Sequence, residues 1–512
     1  MTSHPGGTPT AILFRSFRAG GTAPPVPSAV AQGSRGRLPV SRAVETGRTD
    51  GDSAGRTRRL ASGILAVLLA ASVATTDALA QGRSLPLVRD TETEDLLRDY
   101  ADPIFRVAGL GRAKPEIILI DDSSFNAFVA DNRRIFVNTG VIQQAATPNE
   151  VIGVLAHETG HISGNHLARL REALARAQII SVLSAIAGVG AMAAAAGGGG
   201  STVGGAGVAA IMGGTQAAQR SLLAYQRGEE RNADAAALRY LEQTGQSAKG
   251  MLDTFSRLAD QQLFASRFAD PYAMSHPVAR DRLSQLDTLA RQSRHFDRKD
   301  PPELQHRHDM VKAKIAAFTG NPRTVASRYP RSDQSMPARY ARAIISMRTG
   351  SPAEAQKAID ALIASNPGNP YFWELKGQAW LEAGQPARAI EPLRKAASMA
   401  PRPGLMQILL GHAMVSTNDP AMLPEAIRQL KQGVAQEPSA GLGWRALGLA
   451  YARSGEPGLA DVASAQAMMM SGNVDEAKRF AQRAQQKLKR GSPGWLQADD
   501  ILNYKPLRLS RG

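Results

Sequence analysis

Between residues 147 and 167 the apolar positions Val151, Ile152, Val154, Leu155, Ile162 and Leu167 fall on more than one side of a helical period. The segment therefore reads as a helix buried on several faces. Thr147-Pro148-Asn149-Glu150 supplies its start: a capping residue, Pro at the first helical position and Glu three residues after the cap. Three short runs upstream have strand character. Residues 116–121 are rich in β-branched side chains, and residues 125–130 and 134–138 flank the turn pair Asp131-Asn132. Residues 87–110 read as helical. Downstream, an apolar run from residue 178 meets a Gly/Ala tract at 197–211, which predicts a helical hairpin (178–223) with a flexible Gly-rich tip. The run approaches the length of a membrane span, but Gly and Ala keep its hydrophobicity modest. It can pack on the domain that carries the preceding helix, cover a cleft, or touch a membrane or a membrane-protein partner through 178–211. Another helix runs from Tyr225 to Leu241 and stops near Gly245.

From about residue 300 the period changes. Trp444-Arg-Ala-Leu-Gly448-Leu-Ala-Tyr451 fits the tetratricopeptide (TPR) template, and Trp373-Glu-Leu-Lys-Gly377-Gln-Ala-Trp380 is a looser copy. Gly350 and Gly384 are 34 residues apart, as are Pro367 and Pro401, which is the period of that repeat. A further copy runs through Met470 to Lys478. Such helix pairs stack into a solenoid with a protein-binding inner face. The pattern predicts a mostly α chain: an α+β domain of helices with a small sheet (81–298), then an α-solenoid of TPR pairs (299–512). Lys299-Asp300-Pro301-Pro302 marks the boundary.

The beginning of the chain is different. Residues 1–55 are rich in Gly, Pro, Ser, Thr and Arg without an apolar period and are expected to be disordered, or to be an artefact of the gene boundary. Residues 56–80 combine a basic patch, a short apolar stretch and Ala78-Leu79-Ala80, which reads as a signal peptide; an uncleaved anchor is the alternative. The chain has no Cys, which excludes disulfides and thiolate-bound metal and suits an oxidising compartment. Its formal charge of +16 is no nucleic-acid signature, because residues 1–80 hold nine Arg against four acids and no basic run is interleaved with aromatics.

The candidate chemistry lies in the buried helix. His157-Glu158-Thr159-Gly160-His161 has the form H-E-x-x-H. Residues four apart share a helix face, so both imidazoles can reach one metal ion while Glu158 takes a proton from a bound water. Nitrogen ligands suit Zn²⁺, one per chain. Glu230 and Asp234 also share a face, one able to give a carboxylate ligand and the other to stand behind an imidazole. Glu229 is the rival ligand. The strand 125–130, and within it Phe125, Asn126, Ala127 and Phe128, is a candidate edge on which substrate backbone could pair. Plain packing of the sheet is the other reading.

His157-Glu-Thr-Gly-His161 together with Glu230-x-x-Ala233-Asp234 resembles the metalloprotease family of the CAAX prenyl endopeptidases and the HtpX membrane protease. The resemblance implies a zincin-type zinc metalloendopeptidase with Glu230 as third ligand and Asp234 as helper or proton donor. Gln226 stands where that family usually has Ser. The layout, over roughly residues 87–500, is similar to the family's soluble periplasmic branch. That likeness implies a periplasmic enzyme acting on outer-membrane proteins and their assembly machinery, with the TPR array binding partners. Ser275-His276-Pro277 with Arg280 and Arg282 resembles the segment of that branch whose His closes the open metal position, which makes His276 a candidate latch and Arg282 its partner. The alternatives are a chaperone-like TPR scaffold with an idle zinc site and a membrane-integrated protease.

Overall fold

The computed structural model describes residues 86–112, 114–196, 201–264, 276 and 280–505, and side chains at 188–211, 214–215 and 261–264 are left aside. The expected disordered segment and signal peptide lie outside the described residues.

A four-stranded sheet has the order β1-β2-β4-β3. Leu87–Val88 (β1) pairs antiparallel with Glu116–Ile120 (β2), which runs parallel to Arg134–Asn138 (β4). Ala127–Asp131 (β3) pairs antiparallel with β4 and forms one edge. The edge strand thus begins two residues later than its sequence suggests. Phe125 is buried in the core, and the Asn126 carbonyl accepts from the Asn138 amide just ahead of the ladder. Within the ladder, Phe128 stacks on Phe136 across the strands. The expected helix over 87–110 is shorter, Thr91–Val107 (α1), and Asp90 caps it by accepting from the Thr93 amide. Leu87 and Val88 are drawn instead into the sheet.

After the short helix Thr139–Gln144 (α2) comes Pro148–Ser163 (α3), buried along nearly its whole length. Pro148 opens it as expected, but Thr147 makes no side-chain cap bond. Glu150 accepts from the Ala146 amide and pairs with Arg257. His166–Ala196 (α4) and Ser201–Gln243 (α5) form the hairpin. Helix α5 already begins at Ser201, so residues 201–211 of the tract expected to be a flexible tip are helical, and 197–200 lie outside the described residues. Each Gly costs a helix about 1 kcal/mol; the neighbouring helix alongside offsets this. Gly245, at φ +67, ends α5 as its position suggests. Lys249–Phe264 (α6) packs against α3, and Arg280–Ala290 (α7) packs on α6.

The array begins with Pro302–Thr319 (α8) and Pro322–Arg328 (α9). Regular pairs follow: Met336–Thr349 (α10) with Pro352–Ser365 (α11), Pro370–Glu382 (α12) with Pro386–Met399 (α13), and Gly404–Ser416 (α14) with Leu423–Gln436 (α15). Gly441–Arg453 (α16) with Pro457–Met470 (α17) and Val474–Lys487 (α18) with Pro493–Asn503 (α19) complete it. Trp373 donates to the Pro367 carbonyl and Trp444 to the Pro438 carbonyl, the same bond in two repeats.

One hydrophobic core runs from Val88 to Ala379, through sheet, catalytic helices and the first array helices. Helix α1 crosses the first helices of successive pairs. Lys314 of α8 lies 2.6 Å from Asp90 and 3.3 Å from Glu92, and Tyr340 of α10 donates to Glu92. Thr91 donates to Glu374 of α12, Tyr371 to Asp95, and Arg402 pairs with Asp95 and Asp99. Arg89 joins Glu94 to Glu437 at the far end.

Candidate metal centre

Three elements distant in sequence meet at one buried point. Helix α3 brings His157 and His161, α5 brings Glu230, and His276 comes from the segment ahead of α7. One ligand atom from each lies within 4.8 Å of all the others. His157 Nε2 is 3.1 Å from His161 Nε2 and 3.3 Å from Glu230 Oε2. His161 Nε2 is 3.3 Å from Glu230 Oε1. His276 Nδ1 stands 3.4 Å from His157 Nε2 and 3.0 Å from Glu230 Oε1. Donors about 2.0–2.1 Å from one tetrahedral ion are separated by about 3.3–3.4 Å. The measured edges are close to that figure, so the residues fit a four-coordinate metal.

The electrostatics agree with a cation at this point. Burial disfavours charge on His157, but Asp234 and Glu230 outweigh it and push its pKa up to about 9. Burial dominates at His161, and the neighbouring charges of His157 and His276 add to it, so its pKa falls to about 3 in spite of Glu230. Burial would raise Glu230, yet His276, His157 and His161 hold it well below the usual carboxylate range.

Around this set, Asp234 Oδ1 faces His157 Nδ1 at 3.0 Å. Arg282 donates to Asp234 at 2.8 Å and lies 3.0 Å from Glu230 Oε2. Arg282 opposes the burial of Asp234, whose pKa is lowered. Glu158 is fully buried next to His157, with Oε1 3.5 Å from His276 Nε2. Glu229, the rival ligand, turns away from the cluster toward His166, and it is not among the four converging donors. His166 was missed from sequence, because a spacing of five after His161 does not mark a shared helix face. Of the edge residues, Phe128 and Val129 line a cavity of about 230 Å³ that also meets Glu158, His161, Leu170 and Tyr225. Phe125, Asn126 and Ala127 are not among its lining residues.

The buried cluster of three histidines and a carboxylate is the donor set of a metal-dependent hydrolase, and its likeness to a peptidase family makes the enzyme a metalloendopeptidase. Residues 87–290 match the model of peptidase family M48, and residues 340–404 match that of the tetratricopeptide repeat. The chain is similar to the beta-barrel assembly-enhancing protease of Yersinia pestis, 24% identical over 416 residues, covering 80% of this chain and 82% of that protein. The protein of the same name in Escherichia coli K12 is 23% identical over 419 residues, with the same coverage of both chains. A putative beta-barrel assembly-enhancing protease of Vibrio cholerae is 25% identical over 415 residues, again over 80% and 82% of the two chains.

Proposed function

We propose that this chain is a periplasmic, zinc-dependent endopeptidase of outer-membrane protein assembly and quality control, held latent by its own His276. The observation that carries the reading is the set of four donors at tetrahedral spacing with Glu158 beside them. The likeness to beta-barrel assembly-enhancing proteases supports the assembly role. The H-E-T-G-H and Glu230-x-x-Ala233-Asp234 patterns support placement with the HtpX and CAAX prenyl endopeptidase family. In this reading residues 56–80 are a cleaved signal peptide, 81–298 the protease domain and 299–512 the partner-binding array.

His157, His161 and Glu230 would hold the zinc, and His276, the fourth converging donor, would close the site at rest. When bound, the metal supplies a Lewis acid to the scissile carbonyl and acidifies water. Glu158 takes the proton of the attacking water and delivers it to the leaving amine. Asp234, itself held by Arg282, fixes the His157 ring through Nδ1. Substrate backbone adds to the β3 edge, and a side chain next to the scissile bond enters the cavity lined by Phe128, Val129, Leu170 and Tyr225.

The hairpin gives peripheral membrane contact. Ile179, Val182, Leu183 and Ile186 are each more than half exposed, on a segment free of acidic residues between Glu172 and Glu229. Among the described residues no helix is long and apolar enough to cross a membrane.

The experiment is Glu158→Gln assayed on casein with metal content measured in parallel. General acid–base catalysis contributes about 10²–10⁴-fold. The variant should keep one zinc and lose activity by that order. Undiminished proteolysis would refute the role of Glu158, and a chain without metal would refute the centre. Wild-type zinc with no proteolysis even after His276→Ala would favour the second reading, a chaperone-like scaffold with an idle site.

A further inference from the structure

We propose that His166 and Glu229 hold His161 in its metal-binding orientation, as positioning residues on the side of the site away from Asp234. The inference rests on the metal centre proposed above.

His161 turns Nε2 toward His157 and Glu230 and Nδ1 toward His166 Nδ1, 2.9 Å away. A neutral imidazole that gives Nε2 to a metal carries its proton on Nδ1. His161 therefore donates, and His166 Nδ1 must accept. A neutral His166 then carries its own proton on Nε2, which lies 2.9 Å from Glu229 Oε2. The contacts run from the His161 ring through His166 to the Glu229 carboxylate, at ion-pair distance, which Arg169 also approaches at 3.5 Å. His166 and Glu229 are both buried, at 5% and 8% exposure, so neither is a solvated surface pair.

The backbone is built for this contact. Helix α3 ends at Ser163, Gly164 caps it, and Asn165 takes a left-handed φ of +54. The Asn132 amide donates to the Asn165 side chain at 2.6 Å and steadies the turn. The reversal folds the His166 ring back over Gly164, where a Cβ would fall 2.1 Å from His166 Nε2. Asn is the non-Gly residue that takes this left-handed conformation most readily, so the turn forms without strain. The two carboxylates that flank Glu230 on α5 thus divide the work: Asp234 faces the His157 ring directly, and Glu229 reaches the His161 ring through His166.

The test is zinc affinity of the full mature chain, measured by competition with a chromogenic chelator. Loss of such an outer partner typically weakens metal binding about 10–100-fold. His166→Ala should fall in that range, and Gly164→Ala, which displaces the same ring, should do likewise. His166→Gln retains an acceptor and should recover most of the affinity. Glu229→Gln, which disturbs no backbone, should weaken binding several-fold. In zinc-loaded protein labelled with ¹⁵N-histidine, the His161 Nδ1 proton should be protected from exchange in the wild type and in His166→Gln, and lost in His166→Ala. Wild-type affinity and a retained Nδ1 proton in His166→Ala overturn the inference and leave the metal centre standing. A wild-type chain that takes up no zinc overturns the centre, and the inference with it.

Discussion

Replacing His276 by Ala should convert a resting enzyme into an active one, and the structure sets the size of the change. His276 Nδ1 faces both oxygens of Glu230, at 3.0 and 3.2 Å, and its ring is almost wholly buried among the donors. A single charge-assisted contact, taken as the size of the latch, contributes about 1.5–3 kcal/mol net. This leaves roughly 1–7% of the chains competent for substrate. Removing the latch should raise kcat/KM about 10- to 150-fold. The competent fraction multiplies every substrate alike, so a short quenched peptide and casein should gain by the same factor. Initial rates of both, at saturating zinc, provide the measurement, with Glu158→Gln/His276→Ala as the inactive control. A variant within twofold of the wild type, or one that gains on casein alone, would show that His276 does not gate the site.

Other outcomes follow from the junction and the cavity. Lys314→Met leaves Asp90, Glu92 and Glu374 facing one another in the core. Breaking a buried pair costs about 3–5 kcal/mol, so urea denaturation should report a loss of that order, and an unchanged midpoint would contradict it. Burial pushes Glu374 up to about 7, against the pull of Lys314. An acid that keeps its proton in the fold but releases it near 4.5 when unfolded favours the fold at low pH and loses that advantage as pH rises toward 7. The stability of the wild type relative to Glu374→Gln should therefore decline between pH 5 and 8, by on the order of 1–3 kcal/mol; a difference that grows with pH would rule this out. Cleavage sites mapped on casein should carry an apolar residue beside the scissile bond. Leu170→Trp, which fills the cavity, should shift the preference to smaller side chains; an unchanged profile would exclude the cavity as a subsite.

Much of this arrangement is legible in the sequence because it is periodic. Two histidines four apart, Glu230 and Asp234 four apart, and glycines and prolines 34 apart each follow from a helical or repeat period. What stays hidden is made by pairing across the chain or by a break in the period. His166 joins the site only because Gly164 and Asn165 reverse the backbone. The β3 edge starts at Ala127 because Phe125 is spent on the core. The acidic run Thr91–Asp95 looks like a solvated helix start, yet it is buried against Lys314, Tyr340 and Arg402, partners that lie more than 200 residues away. No local pattern announces that.

The contacts of α1 and the two residues ahead of it run along the array from Lys314 to Glu437 and Ser439. Up to the loop ahead of α16, the first helices of successive pairs are therefore occupied by the protein itself. Since the same core joins the early repeats to the sheet, grip and blade share one handle.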